Sequence, residues 1–199
     1  MASKPILFST PMVQAILEGR KTQTRRVVKP NIVDRFVLDD RGNLLGSYVE
    51  GMPEAYPTID DTPYKPGDIL WVRETWGKDE NGEYVYRTNY GTTEDDSFPP
   101  SMFKWKPSIH MPREAARIFL RVTNVRVERL QEITPKDAWE EGCRIGNFFP
   151  WEKHIPELQQ QCRDILFKSL WDGLNAKRGY GWDINPWVWV YEFERASEE

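Results

Sequence analysis

Two segments late in the chain alternate their side chains with period two over an unusual length. Between Arg117 and Leu130, Ile118, Leu120 and Val122 fall on one parity, and Phe119, Arg121 and Thr123 on the other. That is the pattern of a long half-buried strand. The second segment, Trp187 to Arg195 (WVWVYEFER), places Trp187 and Trp189 on one face. Two such strands have to be paired at their edges and covered on their faces. The rest of the chain offers only short pieces to do this. An α+β fold follows, in which short strands and a few helices surround the two long strands as a small mixed barrel with flanking helices and loop insertions, rather than a βαβ sandwich.

The short pieces are delimited by Pro, Gly and small polar residues. Thr10-Pro11 ahead of MVQAILEG reads as a helix start, with Thr10 as the hydroxyl N-cap, and Gly19 as its left-handed stop. Thr134-Pro135 repeats the device, with Asp137 in the first turn and Gly142 as the stop. Arg41-Gly42-Asn43 suits a hairpin turn, as does Asn81-Gly82, which links a strand at Ile69 to Glu74 with one at Glu83 to Thr88. A longer amphipathic helix is expected from Ile155 to Asn175, carrying Leu158, Cys162, Ile165, Leu166 and Leu170 toward the core. At 199 residues the whole chain, 1–199, is expected to be a single domain, with insertions near 30–66 and 90–102. No internal repeat is present.

Composition narrows the function. With 27 basic and 31 acidic side chains the net charge is −4, which excludes a globally basic nucleic-acid binder but not a local basic patch. The N-terminus lacks the apolar core of a signal peptide and no run approaches about 18 apolar residues, so neither secretion nor a membrane partner is expected. Two cysteines without ligand spacing fit a reducing cytoplasm. His110, Cys143, His154 and Cys162 are scattered, so no metal and no cofactor are called for.

The most cationic stretch, GRKTQTRR from Gly19 to Arg26, follows Glu18 and contains no further acid. A cluster of this kind can hold phosphate or another anion, and is also what an ordinary solvated face looks like. Taken with PGDILWVRE and LQEITPKDAWEEG, this stretch resembles the ASCH domain family, small barrels similar to PUA domains. KPILFSTPMVQAILEGRKTQTRRVVKP, IHMPREAARI and NPWVWVYEFER resemble a phage and prophage subgroup of that family. The resemblance implies binding of RNA or a modified nucleoside in a cleft beside the barrel. One small bacterial member is an amidohydrolase that deacetylates 4-acetylcytidine. By resemblance its catalytic lysine and threonine fall at Lys21 and Thr24, and its glutamate at Glu141, with Glu140 the neighbouring alternative.

These residue types suit amide hydrolysis, which needs a polarised carbonyl, a deprotonated nucleophile and a protonated leaving amine. Either Lys21 deprotonates Thr24, or Lys21 stays charged and Glu141 activates water. Lys21 and Thr24 converge only if the backbone bends between them. Arg20, Arg26, Glu74, His110, Arg113, Trp182 and Asn185 are candidate substrate-binding residues. Against these roles stand plain ones: an ion pair for Glu74, a loop-anchoring hydrogen bond for His110, core packing for the tryptophans on strands. Trp76, Trp105 and Trp182 lie near loops and are the candidates for stacking on a base. A metal-independent ribonuclease in the same cleft, a non-catalytic RNA-binding module and a phage accessory protein are the competing functions.

Overall fold

The computed structural model describes residues 3–47, 61–90, 103–144 and 156–197. In chain order they form β1 (Ser3–Leu7), α1 (Thr10–Leu17), β2 (Gln23–Val27), α2 (Pro30–Val33), β3 (Phe36–Leu38), β4 (Leu44–Ser47), β5 (Ile69–Arg73), β6 (Trp76–Lys78) and β7 (Tyr84–Tyr86). Then come β8 (Phe119–Arg129), α3 (Pro135–Glu140), α4 (Pro156–Gln161), a π-helical segment (Cys162–Phe167), α5 (Lys168–Asn175) and β9 (Trp187–Ala196). The class is α+β, as expected. No helix among the described residues is long and apolar enough to cross a membrane.

The long strands β8 and β9 pair antiparallel at the centre of a five-stranded mixed sheet ordered β1-β5-β8-β9-β2. Only β1 and β5 run parallel. Among the described residues no ladder joins β1 to β2, so a closed barrel is not formed by backbone pairing. The seam between these two edges is instead crossed by a side chain: Arg26 of β2 donates from Nη2 to the Leu7 carbonyl of β1 at 2.9 Å. Tyr64 donates its hydroxyl to the Pro5 carbonyl of β1 at 2.8 Å.

Parity along β9 divides the interior. Trp187, Trp189, Tyr191 and Phe193 join Ile6, Leu70, Val72, Leu120 and Val122 in one core, which α1 covers with Met12, Val13 and Ile16. Val188 and Val190 face the opposite core, built with Trp139 of α3, Cys162, Phe167, Trp171 and Trp182. Each buried tryptophan removes about 150–250 Å² from water, a gross gain of about 4–6 kcal/mol before entropy. Five tryptophans, Trp187 and Trp189 on one face and Trp139, Trp171 and Trp182 on the other, thus pack against the one sheet.

Several boundaries differ from the sequence reading. Ser9, not Thr10, is the N-cap of α1 and makes no side-chain cap bond, and Thr10 is already helical. Pro11 still sits in the first turn, where a missing N–H is not needed. Thr134 does cap α3, in a reciprocal box with Asp137. The Asn81-Gly82 turn joins β6 and β7 in a separate two-stranded sheet, rather than continuing from β5. In the long helix, Ile165 is 59% exposed instead of core-facing. The π segment winds with i→i+5 bonding, so it rotates the positions after Cys162 off the 3.6-residue period. Phe167 takes the buried place. The side chain of Leu158, His154 and nearly all of the expected 90–102 insertion lie outside the described residues. The 30–66 segment supplies α2 and the β3–β4 hairpin, and Phe36 meets Trp187 edge-on at 5.3 Å.

Gly142 ends α3 with φ +95°, and a Cβ built there would come within 3.2 Å of Ala15 Cβ and 3.4 Å of Lys21 Cβ. Gly142→Ala is expected to lose about 2 kcal/mol in urea unfolding, from left-handed strain and the contact with α1. Gly173 in α5 has open space around its Cβ direction, so Gly173→Ala is expected to gain about 1 kcal/mol by the same measurement.

Candidate functional site

The GRKTQTRR stretch is folded by its first residues. After Gly19 the amides of Arg20 and Lys21 both donate to the Ala15 carbonyl, turning the chain back over the end of α1. The Thr22 amide donates to the Glu140 carbonyl at the end of α3, and the Phe193 amide donates to the Thr22 carbonyl at the start of the ladder with β9. Regular strand geometry begins only at Gln23. Lys21 therefore lies before the strand and Thr24 within it, so the parity rule does not separate them.

Lys21 is enclosed, with its side chain wholly inaccessible. Its ammonium donates to the Gln23 carbonyl at 2.8 Å, the Glu141 carbonyl at 2.9 Å and Glu141 Oε2 at 2.6 Å. All three donors are used. Burial pulls the lysine below its ordinary value, and the Glu141 carboxylate opposes that shift. The other Glu141 oxygen accepts from Arg25 Nη1 at 3.2 Å. Arg25 also donates from Nη1 to Gln23 Oε1 at 2.7 Å, and from Nε and Nη2 to Glu128 Oε1 at 3.0 and 2.7 Å. Arg126 extends the cluster to Glu128, Asp137 and Glu192. One ionic network thus joins β2, β8, β9 and α3.

A cavity of about 470 Å³ opens beside it at the free edge of β2. Thr24 and Arg26 line it from one face of the strand, Arg25 and Val27 from the other, because the cavity wraps round the edge. Leu7, Phe8, Ser9 and Met12 come from the β1–α1 side, and Phe167, Trp171, Asn175 and Arg178 from the helical side; Glu141 and Ser108 complete its polar lining. The Thr24 hydroxyl accepts from Arg26 Nη1 at 2.8 Å. Arg26 also donates to the Arg25 and Leu7 carbonyls and lies 5.2 Å from the centre of the Phe8 ring. Among the described residues it has no carboxylate within ion-pair distance. Burial lowers the basicity of its guanidinium, although Glu141 nearby favours the charged form.

Of the residues singled out in the sequence, Thr24, Arg26 and Glu141 reach this cavity, with Lys21 behind Glu141. Glu141, rather than Glu140, faces it: Glu140 accepts from Gln23 Nε2 at 3.3 Å and pairs with Lys136 at 3.6 Å. The others stand elsewhere. Glu74 is buried and held by Arg117 at 2.9 and 3.1 Å and by the Thr88 hydroxyl at 2.5 Å, an ion pair and a hydrogen bond that fasten the end of β5 to the segment before β8 and to the turn after β7. Trp182 is buried against Phe167 and Trp76 is buried against Tyr84, so neither presents a face for stacking. Trp105 packs edge-on against Phe103 at 5.4 Å, away from the cavity lining. Asn185 adopts φ +47° and uses its Oδ1 to accept from the Gln131 amide at 2.8 Å, a turn function. Arg20 donates to Glu18 and to the Gly142 carbonyl. His110 and Arg113 are exposed on short 3-10 turns and do not line the cavity.

Sequence reasoning missed the walls. Phe8, Met12, Trp171 and Asn175 carry ordinary core or helix signals, and Arg178 belongs to no motif in the sequence. Cys143 adjoins the site, but burial, reinforced by Glu141, pushes its thiol up to about 12, so it is not a nucleophile near neutral pH.

No protein-family model matches the sequence. No curated protein matches it. Among solved structures it is similar to an ASCH domain from Lactobacillus crispatus JV V101, at 12% identity and a TM-score of 0.39, covering 98% of this chain and 79% of that one. It is also similar to a DUF984 protein from Enterococcus faecalis V583, at 10% identity and a TM-score of 0.42, covering 98% and 76%. Likeness at this level gives no residue correspondence. The cavity is therefore interpreted from its own geometry.

Removing one partner of the buried cluster leaves an uncompensated charge, so Lys21→Met and Glu141→Gln are each expected to lose about 3–5 kcal/mol in urea unfolding. The double variant Lys21→Met/Glu141→Gln is expected to lose less than the sum of the two single variants, by double-mutant cycle. Asp137 yields a pH dependence. Burial would raise its pKa, but the Thr134 hydroxyl and amide and the charges of Arg25 and Arg126 outweigh this and leave it below the ordinary 3.8. Its stabilising effect is complete above 3.8 and is lost as pH falls through the lower folded value. Asp137→Asn is expected to lose less stability than the wild type across that acid window, measured by thermal unfolding.

Proposed function

We propose that the cavity at the β2 edge binds a nucleoside-class ligand, free or within RNA, and hydrolyses an acylated form such as 4-acetylcytidine. The observation that carries this reading is the meeting of Thr24, Arg26 and Glu141 on the wall of one cavity, with the Lys21 ammonium 2.6 Å behind the Glu141 carboxylate. The resemblance of GRKTQTRR and WEEG to the ASCH amidohydrolase residues supports it. The accessible apolar part of the lining, Leu7, Leu170 and Leu174, suits the flat face of a base.

Of the two schemes open at the sequence level, the geometry favours water activation by Glu141. Lys21 spends all its N–H groups on Gln23 and Glu141, so it acts as a positioning cation rather than a base. Thr24 accepts from Arg26 and has its own O–H to donate to the acyl oxygen. Water adds to the acyl carbon as Glu141 takes its proton. The carbon–nitrogen bond then breaks, Glu141 returns the proton to the departing amine, and cytidine leaves with acetic acid, which gives its own proton to water to become acetate. A second reading, binding without reaction, is favoured by one feature: both Glu141 oxygens already accept from cations and the residue is only 4% exposed.

Incubation with 4-acetylcytidine, followed by chromatography, is expected to yield cytidine and acetate. Thr24→Val, which keeps the ion cluster, is expected to slow turnover about 100-fold or more, the usual scale for loss of one transition-state donor. Full turnover in both Thr24→Val and Glu141→Gln overturns the mechanism. Ligand binding with no product establishes the second reading.

A further inference from the structure

We propose that the cavity contains a phosphate subsite formed by Arg26 and Arg178, so that its preferred ligand is a phosphorylated nucleoside rather than a free one. This rests on the reading that the cavity takes a nucleoside at all, and it adds a residue and a ligand charge that the hydrolytic reading does not require.

The first support is the balance of charge on the wall. Arg25, Arg26 and Arg178 line the cavity against one carboxylate residue, Glu141, and the Arg25 side chain is itself inaccessible. Arg25 is neutralised from behind by Glu128 and Asp137, and Glu141 is shared with Lys21. Arg26 and Arg178 are left as cations with no acidic partner among the described residues. Arg26 has three of its five N–H groups on neutral acceptors, the Thr24 hydroxyl and the Arg25 and Leu7 carbonyls. These bonds fix its orientation but do not compensate its charge. Two donors remain.

Arg178 supplies the opposite kind of group. It closes the short 3-10 turn Ala176–Arg178 after α5, immediately before Gly179, whose φ of +83° reverses the chain. Its side chain lies at the cavity wall and makes no hydrogen bond or ion pair among the described residues. One guanidinium anchored and one unengaged, in the lining of a single cavity, suits an anion with several oxygens in different directions. Ser108 adds a hydroxyl to the same lining. The N-terminal end of α1, where Ser9 and Met12 line the cavity and no acid occupies the first turn, contributes favourable field without repulsion.

The remaining wall is apolar and aromatic, and the volume of about 470 Å³ lies within the range of sites that enclose one small ligand. Two cations and an apolar lining that reaches the surface at Leu7 and Leu174 match a single nucleotide, with phosphate against the arginines.

The test is calorimetric titration of the full chain at low salt with cytidine, 4-acetylcytidine, cytidine 5′-monophosphate, cytidine 3′-monophosphate and a dinucleotide. One of the monophosphates is expected to bind at least about tenfold more tightly than cytidine, the scale of one charge-assisted bond. Arg178→Ala, at an exposed position, is expected to bring that ratio close to one. A preference for the dinucleotide over both monophosphates identifies RNA backbone as the source of the phosphate, and the reverse order a free nucleotide. Equal binding of cytidine and its monophosphates by the wild type overturns the subsite while the nucleoside reading stands. A phosphate preference undiminished in Arg178→Ala overturns the role of that residue. Failure of every probe to bind overturns the subsite and the nucleoside reading together.

Discussion

The carboxylate of Glu141 between Lys21 and Arg25 is the contact on which the site depends. It joins the segment before β2, β2 itself and the end of α3, three places that no backbone ladder joins in one step. Its contribution to net stability is modest, since removing two ions from water offsets much of their attraction. What it supplies is position. Because Lys21 must satisfy three acceptors and Arg25 must reach Gln23, Glu128 and Glu141 together, the register of β2 on β9 and the approach of α3 are fixed by the same atoms. A one-residue slip of β2 would exchange Thr24 and Arg26 for Gln23 and Arg25 at the inner face, and the network would have no geometry to form in.

The cavity follows from the way the sheet ends. A ladder between β1 and β2 would fill the seam with backbone, and no ligand would fit there. Leaving the seam open places both faces of β2 within reach of one space, so residues of opposite parity can act together. The helical layer then brings Trp171 and Arg178 to the far side. Thr24 and Arg26 sit on a strand whose inner neighbours are large and buried, Trp189 opposite Arg26 and Tyr191 opposite Thr24. That backing holds polar side chains in place where a loop would not.

Local chemistry was the most legible part of the sequence. Thr134-Pro135 with Asp137 announces its helix because the capping bonds span three residues, and the parity of WVWVYEFER assigns faces because strand geometry leaves no other choice. The GRKTQTRR window marked Thr24 and Arg26 through charge and resemblance. Three things were hidden. Glu140 and Glu141 are equivalent in sequence, and only the left-handed turn at Gly142 and the approach of Lys21 distinguish them. The π segment cannot be seen in periodicity, so Ile165 was assigned to the core that Phe167 occupies. Trp182 and Asn185 have the composition of a base-binding loop, yet the turn before β9 uses both for its own closure.

The outer strand β1 shows what the seam does for the chain as a molecule in a crowded solution. An edge strand with unpaired backbone groups invites a second copy to add itself. Here Pro5 carries no N–H to offer, its carbonyl is taken by the Tyr64 hydroxyl, and the Leu7 carbonyl on the same parity is taken by Arg26. The guanidinium that lines the cavity is also a cap on an otherwise adhesive edge. One side chain therefore shapes the cavity and covers the edge, and any substitution there changes both.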